Sequence, residues 1–154
     1  MKWVKAITFD FWGTLVDIDT SGTAAMSHVL QKLSITDQDP LALYLAWDYA
    51  TVRRYRSDVW RPYVQWSALG LADTLQPLGV ELSESEWADL ADVFVTIMTS
   101  QAAPHPESQE VIEFLKHKLP LMPITNMDEH YFSLNPFRSQ FDQWLTAEEA
   151  GAFK

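Results

Sequence analysis

The chain has 154 residues, 47% of them apolar, which fits one folded domain with a real core or one domain with a small insert and excludes a disordered chain. Its 21 acidic and 11 basic side chains give a formal charge of -10, a surface that repels phosphate backbones and argues against nucleic-acid binding. No cysteine is present, which removes disulfides, thiolate chemistry and cysteine-rich zinc sites.

Residues 3–9, Trp-Val-Lys-Ala-Ile-Thr-Phe, are rich in β-formers and predict a buried strand ending at Asp10. The following Phe11-Trp12-Gly13-Thr14 predicts a turn whose glycine allows close backbone approach to a ligand. From about residue 20 to 100 the pattern is helical throughout. Met26, Val29, Leu30 and Leu33 recur at helical spacing, and Asp39-Pro40 is a cap with a first-turn proline opening a second helix. Val64, Ala68, Leu71, Ala72 and Leu75 form a third apolar stripe, stopped by Gly79. Ser83-Glu84-Ser85-Glu86 is a capping box that starts a fourth helix through Trp87, Leu90, Phe94, Ile97 and Met98. Such helices, joined by short loops, pack as a small bundle.

Beyond an Ala103-Pro104-His105-Pro106 loop, residues 107–118 predict a helix and Leu121-Met122-Pro123-Ile124-Thr125 a second strand. Pro123 is awkward there because it removes a ladder donor. A short helix over 128–134, a third strand over Gln143-Trp144-Leu145-Thr146 and a helical turn over 147–150 complete the plan. The whole is an α/β parallel sheet core, 1–15 and 101–154, interrupted by a helical bundle over 16–100. No stretch approaches a membrane span and the start has no secretory signal, so a cytoplasmic protein is expected.

Ile7-Thr8-Phe9-Asp10-Phe11-Trp12-Gly13-Thr14-Leu15-Val16-Asp17 is similar to the first motif of the haloacid dehalogenase (HAD) superfamily of hydrolases. A carboxylate at the end of a parallel strand projects into the crevice above the sheet, where it can attack carbon or phosphorus and form an aspartyl intermediate. Ile124-Thr125-Asn126 resembles the second motif. Phe141 to Lys154 resembles the stretch leading into the family's lysine. The resemblance implies a Rossmann-like core with a mobile helical cap. It makes Asp10 the nucleophile, with Thr125 and Lys154 as further catalytic residues. Trp12, Gly13, Thr14 and Asn126 become contacts to a small anionic organic substrate.

Three departures qualify the substrate class. Trp12 stands where the family's phosphatases carry an acid, and indole cannot transfer that proton. Losing a general acid costs about 10²–10⁴-fold. The family's 2-haloacid dehalogenases carry an aromatic residue here, and halide leaves without a proton. Trp12 is therefore read either as a pocket wall or as packing at the sheet edge. The arginine of the dehalogenase cap has its nearest equivalent near Trp47-Asp48, where none is found. The cluster Arg53, Arg54, Arg56 and Arg61 is either a solvated face or the source of one arginine over the site. Finally, the family continues past the lysine into a further strand with acids, so the first strand is expected to have an open edge. A fragment, a degenerate product, or a chain completed by a partner or strand-swapped homodimer all fit, with weak or no turnover.

The resulting expectation is a hydrolase most like a 2-haloacid dehalogenase, requiring no cofactor. The alternatives are a Mg²⁺-dependent phosphatase, with Asp10 touching the metal, and a non-catalytic chain that self-associates. His28, His105, His117 and His130 lack metal-ligand spacing, and neither a Gly-x-Ser-x-Gly elbow nor a phosphate-binding Gly-x-x-x-x-Gly-Lys loop occurs.

Overall fold

Strand β1 runs Ile7–Asp10 in the computed structural model, which describes residues 3–56 and 59–154. It is shorter than the 3–9 span expected, and Trp3 is 83% exposed. The reason is one-sided support. β1 pairs in parallel with β4, Leu121–Thr125, and has no strand on its other flank among the described residues.

β4 also pairs in parallel with β5, Leu145–Thr146, giving a three-stranded sheet in the order β1–β4–β5. Pro123 is tolerated in this middle strand for a reason visible in the register. Ile7 N donates to Pro120 O at 3.0 Å, so residues 120, 122 and 124 face β1 and the nitrogen of Pro123 faces β5. Pairing with β5 starts only at Ile124–Leu145. The missing donor lies just below that start, and this is why β5 does not reach back to Gln143 as expected.

A second sheet lies outside the expected plan. Val16–Asp17 (β2), at the start of the expected helical insert, pairs antiparallel with Ala103–Pro104 (β3), in the expected loop. The chain enters the helical bundle from β2 and leaves it into β3.

Between them lie α1 (Ile18–Lys32), α2 (Pro40–Tyr55), α3 (Tyr63–Leu75) and α4 (Glu84–Gln101). Their starts follow the capping signals. Asp39 accepts from Leu41 N, and Ser83 and Glu86 form the reciprocal capping box. Asp17, the last residue of β2, caps α1 by accepting from Thr20 N at 3.0 Å. Gly79, with φ of 84°, ends a short 3₁₀ turn after α3.

The bundle core is aromatic. Trp47 stacks on Tyr44 and meets Phe94 edge-on at 4.5 Å, all three buried. Two glycines set the helix spacing. A Cβ at Gly22 would fall 2.1 Å from the Tyr44 ring, and one at Gly70 would fall 2.1 Å from Thr51 Oγ1.

The rest of the chain backs the sheet with α5 (Pro106–Lys116), α6 (Glu129–Ser133), a 3₁₀ turn over Pro136–Gln140, and α7 (Ala147–Ala150). Buried Asn135 joins the two layers: its Nδ2 donates to Thr99 O and Ala102 O at the end of α4. No helix among the described residues is long and apolar enough to cross a membrane.

Candidate active site

Asp10 is held by the residues that follow it. Phe11 is fully buried, with its ring edge-on to Phe132 at 4.9 Å, which anchors the backbone where β1 ends. The next side chain pointing back is Thr14, whose hydroxyl donates to Asp10 Oδ2 at 2.8 Å. Gly13 makes this return feasible with a φ of 75°, in the left-handed region that favours glycine. Asp10 Oδ1 accepts from Phe11 N at 2.9 Å and from the Lys154 ammonium.

Lys154 reaches the site by a short path. Thr146 caps α7, and Gly151, with φ of 63°, reverses the chain at its end. Phe153 then packs its ring against Tyr55, and Lys154 N donates to Asn126 Oδ1 at 2.9 Å. The Lys154 ammonium also donates to Ile124 O, the carbonyl of the strand beside β1. Asp10, Thr14, Asn126 and Lys154 thus come together from three separate parts of the chain.

The other expected residues are placed differently. The amides of Gly13 and Thr14 donate within the turn, to Val16 O and Phe11 O at 3.0 and 3.4 Å. They do not face a ligand as the turn suggested, because closing the turn uses them. Thr125 is buried, does not line the cavity over Asp10, and its hydroxyl accepts from Met127 N at 3.1 Å. Its visible role is to shape the loop that carries Asn126. Trp12 serves both readings at once: it lines the cavity and packs edge-on against Phe11 at 4.8 Å.

The cavity has a volume of about 430 Å³ between the sheet and the bundle. Its walls include Tyr44, Trp47, Tyr55 and Tyr63 from the bundle and Trp12, Asn126 and Met127 from the sheet side. Its charged groups are Asp10, Asp19, Asp48, Arg56 and Lys154. Asp48 is open to solvent on one side, but packing of its carboxyl, and then the charge of Asp19, push its pKa up. Tyr44 donates to Asp19 Oδ1 at 3.2 Å, and burial, then the Asp19 charge, push its phenol pKa far up.

Of the arginine cluster, only Arg56 lines this cavity. Arg54 makes a bidentate pair with Asp73 at 2.7 and 2.8 Å, Arg53 lies beside that pair, and Arg61 sits over the Trp66 ring.

A divalent cation fits the donor set poorly. Among the described residues no three of His, Cys, Asp and Glu converge as ligands, and Asp10 is already paired with an ammonium. Mg²⁺ demands near-octahedral oxygen ligation.

Asp128 was missed in the sequence because it resembles an ordinary local cap before α6. Its carboxylate instead accepts from Tyr63 N and Val64 N at 2.7 and 3.0 Å, capping α3 from the sheet side. α3 has no cap of its own, since Pro62 precedes it. Burial pushes the Asp128 carboxyl pKa up, with the two amide bonds opposing. Nothing in the local spacing signals a bond across 65 residues.

No family model matches the sequence, and no curated protein is significantly similar. Solved structures do match. The L-2-haloacid dehalogenase of Xanthobacter autotrophicus overlays with a TM-score of 0.77 at 19% identity, over 98% of this chain and 60% of that one. The chain has the haloacid dehalogenase fold. It spans about 60% of the length of the Xanthobacter enzyme, whose structure with chloropropionic acid covalently bound overlays with a TM-score of 0.75. The HAD-hydrolase YfnB from Bacillus subtilis, bound to magnesium, overlays with a TM-score of 0.77 at 15% identity, over 97% of this chain and 68% of that one.

Proposed function

We propose that this chain carries a hydrolase site that opens the carbon–halogen bond of small 2-haloacids through an ester on Asp10. The arrangement around Asp10 carries this reading. Oδ1 has two hydrogen bonds, from Phe11 N and Lys154, whereas Oδ2 has one, from Thr14. Oδ2 is therefore the oxygen with a lone pair to spare for attack. As its bond to C2 of the substrate forms, the carbon–halogen pair leaves as halide. Water then adds to the Asp10 carboxyl carbon, and the acyl–oxygen bond breaks. The 2-hydroxy acid departs, one water proton neutralises its alkoxide, the other goes to solvent, and Asp10 is restored.

Trp12 is compatible with this route because halide needs no acid to leave. Arg56 is the cavity cation suited to the substrate carboxylate, since Lys154 is engaged at Asp10. Residues 16–100 act as the cap that excludes water during attack.

Halide release from 2-chloropropionate tests the reading. Asp10→Asn should abolish release, and release that persists in that variant removes Asp10 from the role of nucleophile. The comparable overlay with YfnB favours a second reading, a Mg²⁺-dependent phosphate-ester hydrolase. The donor set argues against it, and Mg²⁺-stimulated phosphate release without halide release would reverse the preference.

A further inference from the structure

The end of α2 touches the segment that delivers Lys154. Tyr55 is the last residue of that helix, and its ring stacks on Phe153 with centroids 4.6 Å apart and planes 25° from parallel. Tyr55 is half-buried, and it lines the same cavity as Asn126. The Asn126 carboxamide oxygen in turn accepts from Lys154 N at 2.9 Å. The aromatic stack thus joins a single bundle residue to Phe153, and Asn126 holds the next residue by its backbone amide. Tyr55 itself lines the cavity above Asp10.

These contacts have a mechanical consequence. α7 is only four residues long, and Gly151 follows it in a left-handed turn, so the helix alone does not fix the direction of residues 152–154. The ring stack at Phe153 and the Asn126 bond at Lys154 N direct this stretch of backbone, and hence where the ammonium reaches.

We propose that Tyr55 is a positioning residue for Lys154, so that seating of the helical bundle on the sheet and placement of the ammonium at Asp10 are one event. This rests on the reading of Asp10 and Lys154 as a working pair. Its consequence is that the lysine is held while the bundle is seated and loosened when Tyr55 lifts away. The stack carries the effect, so Tyr55→Phe should keep it and Tyr55→Ala should lose it.

The test reads Lys154 directly and needs no turnover. Reductive methylation with ¹³C-formaldehyde, followed by peptide mass spectrometry, gives the modification rate of that amine. In Tyr55→Ala the rate at Lys154 should rise about three- to tenfold, the scale of one lost aromatic pair. Phe153→Leu breaks the same stack from the other side and should give a similar rise should Tyr55→Ala fold poorly. Tyr49→Ala, on the exposed face of the same helix, should leave the rate unchanged. An unchanged Lys154 rate in folded Tyr55→Ala or in Phe153→Leu would overturn the proposal, as would an equal rise in Tyr49→Ala. A loss of halide release with Lys154 protection intact would count against the chemistry assigned to Asp10 and leave the positioning role standing.

Discussion

Asp17 shows how one carboxylate ties the turn after β1 to the bundle. It ends β2 and caps α1, accepting from both the amide and the hydroxyl of Thr20 at 3.0 and 2.6 Å. The Thr20 hydroxyl, then its amide, lower the Asp17 pKa below the ordinary 3.8. A carboxyl whose folded pKa is depressed contributes stability above its unfolded pKa and loses it as pH falls through the folded value. Chemical denaturation should therefore find Asp17→Ala about 1 kcal/mol less stable than the parent at neutral pH. The gap should close in acid, below 3.8. A gap that stays constant into acid would mean the cap acts through packing alone. Asp128 has the opposite sign: burial raises its pKa, so its contribution is greatest below the unfolded value and declines as pH rises through the folded one.

Among the elements, the four helices of the bundle were legible because their signals are local. The Asp39-Pro40 start, the Ser83–Glu86 capping box and the apolar stripes all act within one or two turns. What stayed hidden depends on pairing between distant residues. The β2–β3 ribbon joins residues 16–17 to 103–104, and neither stretch has a strand-like pattern by itself. β5 was overestimated because the limit on its length lies in Pro123 of another strand. The close approach of α2 and α3 was equally invisible, although it makes a firm prediction. Alanine at Gly70 would drive its Cβ to 2.1 Å from Thr51 Oγ1, in a fully buried contact. Overpacking of this kind costs about 1–3 kcal/mol and should outweigh the roughly 1 kcal/mol that alanine gains in a helix. Thr51→Ala in the same chain should recover the melting temperature, because the Thr51 hydroxyl has no hydrogen-bond partner among the described residues. A Gly70→Ala chain that melts no lower would show that the helices can separate freely.

For the molecule as a whole, the sheet and the bundle meet in a cavity whose floor was legible and whose walls were not. Asp10, Thr14, Asn126 and Lys154 could be named from their motifs, and the fold brings them together. Tyr55, Tyr63, Asp19 and Asp48 line the other side, with spacing in the sequence that says only "helix". The open flank of β1 is the other feature of the whole. β1 has no strand on this flank among the described residues; such an edge favours pairing with a second copy, and we expect self-association. Light scattering should show a mass above one chain that grows with concentration, and a constant single-chain mass would count against it.

The account turns on a covalent bond at Asp10, and that bond can be sought directly. After incubation with 2-bromopropionate, digestion and peptide mass spectrometry should find a propionate ester on the peptide that contains Asp10. The ester should be removable by hydroxylamine and missing from Asp10→Asn. An ester on Asp19 or Asp48 with Asp10 unmodified, or halide released with no carboxylate ever esterified, would contradict it.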